Sequence, residues 1–164
     1  MSNYHLAQLN VAKLKAPLDS PELEDFVANL DRINALAEGS PGFVWRLKGE
    51  GNDATSLRPF DDDVIVNMSV WRDVAALRAF VYDSAHVAIM KRRREWFMRM
   101  ADVYMVLSWV PVGHESTIEE AATRLAHMRE HGASPEAFSF GDAFPPPDAA
   151  AGANPVSFKD GCPA

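Results

Sequence analysis

Cysteine is nearly missing: Cys162 is the only one in 164 residues. An internal disulfide is excluded, and the near-terminal position argues against a thiolate metal site. No apolar run approaches the roughly 18 residues of a membrane span. The opening MSNYHLAQLNV goes directly into a strand-like pattern and lacks the form of a secretory signal. The expectation is a soluble, cytoplasmic protein with no membrane partner. Positive charge is the scarcer sign, with 16 Lys and Arg against 23 Asp and Glu and a formal net charge of −7. An acidic chain is a poor general ligand for nucleic acid, so the KRRR run at 91–94 reads as a solvated face. There is no glycine-rich phosphate loop, no Gly-x-Ser-x-Gly and no Cys–His nucleophile pair. His127 and His131 have a spacing that can bind metal, but no Cys or Glu-rich pattern accompanies them, and no metal is expected.

What is present is an ordinary globular composition, 48% hydrophobic and 24% charged, long enough to bury a core. Residues 4–14 alternate as a first strand. Residues 17–42 carry a helix, with Ser20 as a candidate cap, Pro21 at the first helical position and Glu22 and Glu24 at the positive end of the dipole. Residues 43–49 and 64–71 are the second and third strands, joined by a polar loop over 50–63. Residues 72–84 form a short helix, 85–100 a four-turn helix and 103–112 a fourth strand. Ser116 and Glu119 suggest a capping box for a further helix over about 117–131, closed by Gly132.

The order is β-α-β-β-α-β plus a C-terminal helix. This α+β pattern is ferredoxin-like, with helices on a four-stranded antiparallel sheet. The domain is expected over residues 1–140. Residues 141–164 read as a Pro, Ala and Gly-rich extended tail, ordered only where Phe138, Phe140 or Phe144 docks. In the third strand Val64, Val66, Met68 and Val70 oppose a face carrying Ile65 and Trp71, so both faces are apolar. A lone chain would then expose a greasy face, and a sheet-to-sheet homodimer is the economical remedy.

Two helices break their own patterns. In AHVAIMKRRREWFMRM (85–100), Ile89, Met90, Trp96, Phe97 and Met100 form the apolar stripe, yet His86 and Arg93 fall within it. In the first helix, Asn34 lies near the centre of the stripe of Leu23, Phe26, Val27, Leu30 and Ala37. Opposite, Asn10, Asn67 and Ser69 are polar on otherwise apolar strands, and Trp45, Trp71 and Trp109 add aromatic surface. Such insertions mark either a small-molecule cavity or a buried polar network. In the cavity reading His86, Arg93 and Asn34 are the catalytic candidates. His86 would move a proton while Arg93 and Asn34, or Asn10, hold an oxyanion. Asn10, Asn67, Ser69, Trp71, Phe80, Met90 and Phe97 would contact the substrate.

The blocks YHLAQLNVAKL through GFVWRL (4–47), VNMSVW (66–71), LRAFVYDSAHVAIMKRRREWF (77–97) and SPEAFSF (134–140) occur in order. Together they resemble a bacterial family known as domain of unknown function 3291, over residues 4 to 140. That family is grouped with the dimeric α/β barrels, which include antibiotic-biosynthesis monooxygenases, haem-degrading monooxygenases and small isomerases and dehydratases. The segment SVWRDVAALRAFVYDSAHVAIM (69–90) is similar to the antibiotic-monooxygenase pattern of a strand ending in Trp, then a helix with a Ser-x-His step. The resemblance implies a dimeric enzyme for an aromatic or polyketide-like substrate, working without cofactor by oxygenation or by proton-transfer isomerisation or dehydration. A dimeric, non-catalytic binder of a hydrophobic ligand or haem is the alternative. Asn10 matches the first-strand asparagine of haem-degrading relatives. Met90 falls nearer the place of their histidine, and Phe80 falls at their tryptophan, so haem degradation is not expected.

Overall fold

The computed structural model describes residues 1–158; Cys162 lies outside them. The sheet is four-stranded, in the order β2-β3-β1-β4. Its strands are β1 (Tyr4–Lys13), β2 (Phe43–Arg46), β3 (Val64–Trp71) and β4 (Met105–Pro111), and every neighbouring pair is antiparallel. The helices are α1 (Glu24–Glu38), α2 (Val74–Asp83), α3 (His86–Lys91), α4 (Arg93–Trp96) and α5 (Ile118–His131). This is the ferredoxin-like split β-α-β order, in which each crossover skips one strand.

Register sorts the side chains onto two faces. Leu6↔Trp71, Gln8↔Ser69, Asn10↔Asn67 and Ala12↔Ile65 share one face with Met105, Leu107 and Trp109 of β4. Ala7, Leu9, Val11, Val64, Val66, Met68 and Val70 share the other. The first face meets α1 to α4 and is the polar-speckled one. The second meets α5, whose Leu125 and Met128 pack on Leu9, Val11, Val66 and Val106. Ala54, Leu57 and Phe60 from the 50–63 segment join that cluster, so this loop is a working part of the core rather than a polar excursion.

That arrangement corrects the exposed-face argument. Val64, Val66, Met68 and Val70 are all under 7% exposed within one chain. The second face is therefore already covered, and the premise for expecting a sheet-to-sheet homodimer does not hold.

Four local expectations also change. The stretch 85–100 is not one helix: it breaks at Arg92 (φ −91°, ψ 0°), and the helix ends with extended backbone at Phe97. The break lets Trp96 enter a cluster with Leu14, Leu23 and Ile65 while Phe97 bridges to Leu14. Arg92 bonds Asp25 and Glu95 and lies over the Trp96 ring, 4.9 Å from its centroid. The capping box of α5 is Thr117 with Glu120, one residue later than expected. Ser20 does not cap; its hydroxyl donates to the Pro17 carbonyl. β2 and β4 are shorter than expected, and Val103 is left exposed.

The segment after residue 140 is docked at more points than Phe138, Phe140 and Phe144. Phe138 and Phe140 are buried, and Phe138 pairs with Leu107 along the free edge of β4. Ala143 pairs with Val156, the Trp109 indole donates to the Phe144 carbonyl (2.9 Å), and Asp148 accepts from Ser2 and Asn3.

Candidate functional site

Helix α1 sets the scale of the site. It has an apolar stripe, yet Ala37 is its only buried residue. Ala37 joins the cluster of Leu6 and Trp71 at one end and Phe26 that of Ile65 and Trp96 at the other, while Leu30 and Ile33 between them look across a gap at the polar-speckled face of the sheet. A helix whose greasy side faces space instead of side chains forms one wall of a cavity. Its ends are tied down, by Asp25 to Arg92 (2.7 Å) and by Glu38 to Arg46 (2.7 Å). The cavity, open on one side, has a volume of about 230 Å³. The opposite wall is α2, α3 and α4, and the floor is β1 and β3.

The floor is a hydrogen-bonded chain. Gln8 Nε2 donates to Asn67 Oδ1 (2.7 Å) and to Ser69 Oγ (2.9 Å). Asn10 Nδ2 donates to Gln8 Oε1 (3.1 Å) and, at 3.5 Å, to Asn67 Oδ1. Trp71 Nε1 donates to Ser69 Oγ (2.8 Å). The strand period of two explains the assembly: residues 8 and 10 alternate onto the same face, directly opposite 69 and 67.

His86 is positioned by a corner. Ser84 stops α2 in extended backbone; its hydroxyl donates to Phe80 O and accepts from His86 N–H (3.1 Å). His86 therefore opens α3 beside Phe80, ring centroids 4.8 Å apart, and Phe80 stacks on Trp71 at 5.1 Å. Nδ1 lies 3.4 Å from the Val81 carbonyl, which selects the tautomer with the proton on Nδ1. Nε2 then carries the lone pair and has no hydrogen-bond partner among the described residues. Burial pushes the imidazole pKa below its ordinary value, outweighing the Val81 bond that raises it. The ring is thus neutral near pH 7 and able to accept a proton.

Arg93 begins α4. Its Nη1 donates to the Tyr104 hydroxyl (2.8 Å), and the guanidinium lies 4.5 Å over the Tyr104 ring. The break at Arg92 separates it from α3, so His86 and Arg93 no longer follow one helical line. They occupy different parts of the cavity, His86 near Phe80 and Arg93 near Tyr104.

The cavity is lined by the catalytic and substrate-contact candidates expected from the sequence, but not by Trp45, which is 37% exposed, or Trp109, which bonds Phe144. His86, Arg93 and Asn34 line it. So do Asn10, Asn67, Ser69 and Trp71 from the strands, and Phe80, Met90 and Phe97 from the opposite wall. Sequence reasoning missed Gln8, Arg46 and Tyr104. Gln8 was detectable: it sits two residues before Asn10 on the same strand face. Arg46, 7% exposed, is buried only because Glu38 and Asn52 reach it across the fold, and no local pattern signals that. Among the described residues no group of three or more His, Cys, Asp or Glu is placed to hold a metal ion. No helix there is long and apolar enough to cross a membrane.

No curated protein matches the chain. Several solved structures are similar to it. NE2512, a protein of unknown function from Nitrosomonas europaea, is 15% identical, with 70% of this chain and 95% of that chain covered and a TM-score of 0.43. PA3566 from Pseudomonas aeruginosa is 16% identical, with 68% and 95% covered and a TM-score of 0.44. SnoaB, a cofactor-independent oxygenase from Streptomyces nogalater, is 16% identical, with 73% and 100% covered and a TM-score of 0.41. The family described as Domain of unknown function (DUF3291) matches residues 5–154, and the chain belongs to it.

Proposed function

We propose that the protein is a small-molecule enzyme that deprotonates a planar aromatic or polyketide-like substrate in the cavity under α1. The observation that carries this reading is a neutral histidine with an unengaged Nε2, placed in an apolar cavity whose floor is a chain of uncharged amides. Apolar walls with few polar groups suit a flat ring system. His86 takes a proton from an acidic C–H or O–H, and amide N–H groups steady the oxygen that gains charge. Arg93 beside Tyr104, with Asn34, supports a second oxygen of the same ligand. The anion then goes one of two ways without a bound cofactor. Proton return at another carbon gives isomerisation, whereas expulsion of a β-hydroxyl, which takes up the abstracted proton and leaves as water, gives dehydration. Reaction with dioxygen converts a CH₂ into a carbonyl and releases one water.

Anthrone, a tricyclic ketone with an acidic CH₂, is a suitable probe. In anaerobic heavy water the protein is expected to speed deuterium uptake at that carbon; in air, consumption of dioxygen with formation of anthraquinone marks the oxygenase branch. His86→Ala should lose the exchange. Binding with no exchange in either atmosphere would replace the enzyme by a binding protein, and a Soret band after haem titration would identify the alternative ligand. The expected homodimer is tested separately by sedimentation at micromolar concentration, where a stable monomer removes it.

A further inference from the structure

The hydrogen-bond inventory of the floor has a direction. Gln8 is 5% exposed, and its bonding groups are all engaged: both Nε2 protons are donated and Oε1 accepts. It therefore dictates how its two neighbours are turned. Because Gln8 donates to Asn67 Oδ1, the Asn67 amide must present Nδ2 elsewhere. Because Gln8 accepts from Asn10 Nδ2, Asn10 must present Oδ1 elsewhere. Neither of those two groups has a partner among the described residues, and both asparagines line the cavity. Ser69 accepts from Gln8 and from Trp71, so only its hydroxyl proton is left to give.

We infer that Gln8 is a specificity-determining residue that fixes the polarity of the floor. It turns Asn67 and Ser69 into donors and Asn10 into an acceptor. This rests on the proposed cavity and names its ligand class: planar ring systems that carry a carbonyl or phenolate oxygen over Asn67 and Ser69, and a hydroxyl over Asn10. A ligand offering only donors to Asn67 binds less well, because a ligand that shuts water off from Asn67 and sets donor against donor leaves both unpaired.

The substitution Gln8→Glu reverses the hub. A carboxylate only accepts, so Asn67 must turn its amide to donate Nδ2 toward residue 8, leaving Oδ1 to the cavity. Asn10 and Ser69 can both donate to it, so the network remains satisfied. Anthraquinone, an acceptor, and 2-aminoanthracene, a donor, are the probes, with affinity read by tryptophan fluorescence. The parent should prefer anthraquinone, and Gln8→Glu should lower that preference at least tenfold. Asn67→Asp, on the exposed part of the floor, removes the same donor without touching the hub and should do likewise if Gln8→Glu does not fold. A ligand-free readout accompanies these: in Gln8→Glu the side-chain amide protons of Asn67 should move downfield as they become hydrogen-bonded. Unchanged amide signals, or an unchanged probe preference in the folded variants, overturn the inference. Amide signals that move as expected in a protein that binds neither probe uphold the role of Gln8 and overturn the proposed function instead.

Discussion

The imidazole of His86 is the residue on which the chemical reading turns, and it makes the clearest predictions. Its folded-state pKa lies below the unfolded value, so the native state holds it neutral while the unfolded chain would protonate it. In the window between the folded pKa and about 6.5 the unfolded state binds the extra proton, and stability rises with pH. Seen from neutral pH, that stability is lost as pH falls through the folded value. Urea melts across this range should show the slope, and His86→Phe should flatten it. His86→Ala should cost only about 1 kcal/mol, since the bond to Val81 is long and the ring is half-buried. A loss on the order of 3 kcal/mol would instead place His86 in a structural network. Arg93→Leu removes the part-buried bond to the Tyr104 hydroxyl and the contact with its ring. Binding of anionic aromatic ligands should weaken, and a thermal melt run beside it checks the fold, where a loss on the order of 3 kcal/mol would place Arg93 in a structural network instead.

At the level of elements, caps and turns rather than hydrophobic stripes decide the details. Thr117 accepts from the Glu120 amide, and the Glu120 carboxylate bonds back to Thr117 N–H and to His114 (2.9 Å). Thr117→Ala should cost about 1 kcal/mol, readable in a urea melt. The His114 bond holds the Glu120 carboxyl below its usual range, so this helix start weakens as pH falls through that lowered value. Gly42 opens β2 at φ +85°, and a Cβ there would stand 2.6 Å from the Ala76 Cβ. Gly42→Ala should cost about 1–2 kcal/mol from the left-handed backbone alone, with more from the collision with α2. An unchanged melting temperature would contradict the tight approach of this turn to α2.

The whole molecule is organised by what lies on each side of one sheet. On the α5 side the packing is dense, with Leu9, Met68, Val106 and Leu125 at 2% exposed or less. On the other face Leu6, Trp71 and Leu107 are buried as deeply, but beneath the middle of α1 a gap remains and polar groups line it. Leu125→Ala should therefore cost about 2–5 kcal/mol and expose the covered face, measurable as a lower denaturation midpoint and increased aggregation. Substitutions at Ile33 on the cavity side should cost far less, because the side chain faces space rather than packed neighbours. The pair separates a load carried by the core from a wall kept for a ligand.

The element order, the β3 limits at Val64 and Trp71, and the set of polar residues that break apolar patterns were all legible in the sequence. These are short-range properties: period, capping chemistry and the alternation of faces act over a few residues. His86, Arg93, Asn34, Asn10 and Asn67 could be singled out because each is polar where its local period demands an apolar group. The tertiary structure decided the rest. The break at Arg92 comes from Trp96 entering a cluster with Leu14, Leu23 and Ile65 and from the reach of Asp25 to Arg92, contacts that no local window contains. The burial of Arg46 by Glu38 and Asn52 is of the same kind. The covering of the second sheet face by α5 and the 50–63 segment could not be read either, because an apolar face states only that something must cover it. Whether that cover is the chain's own helix or a second copy depends on the path of the backbone, and this backbone brings α5 home.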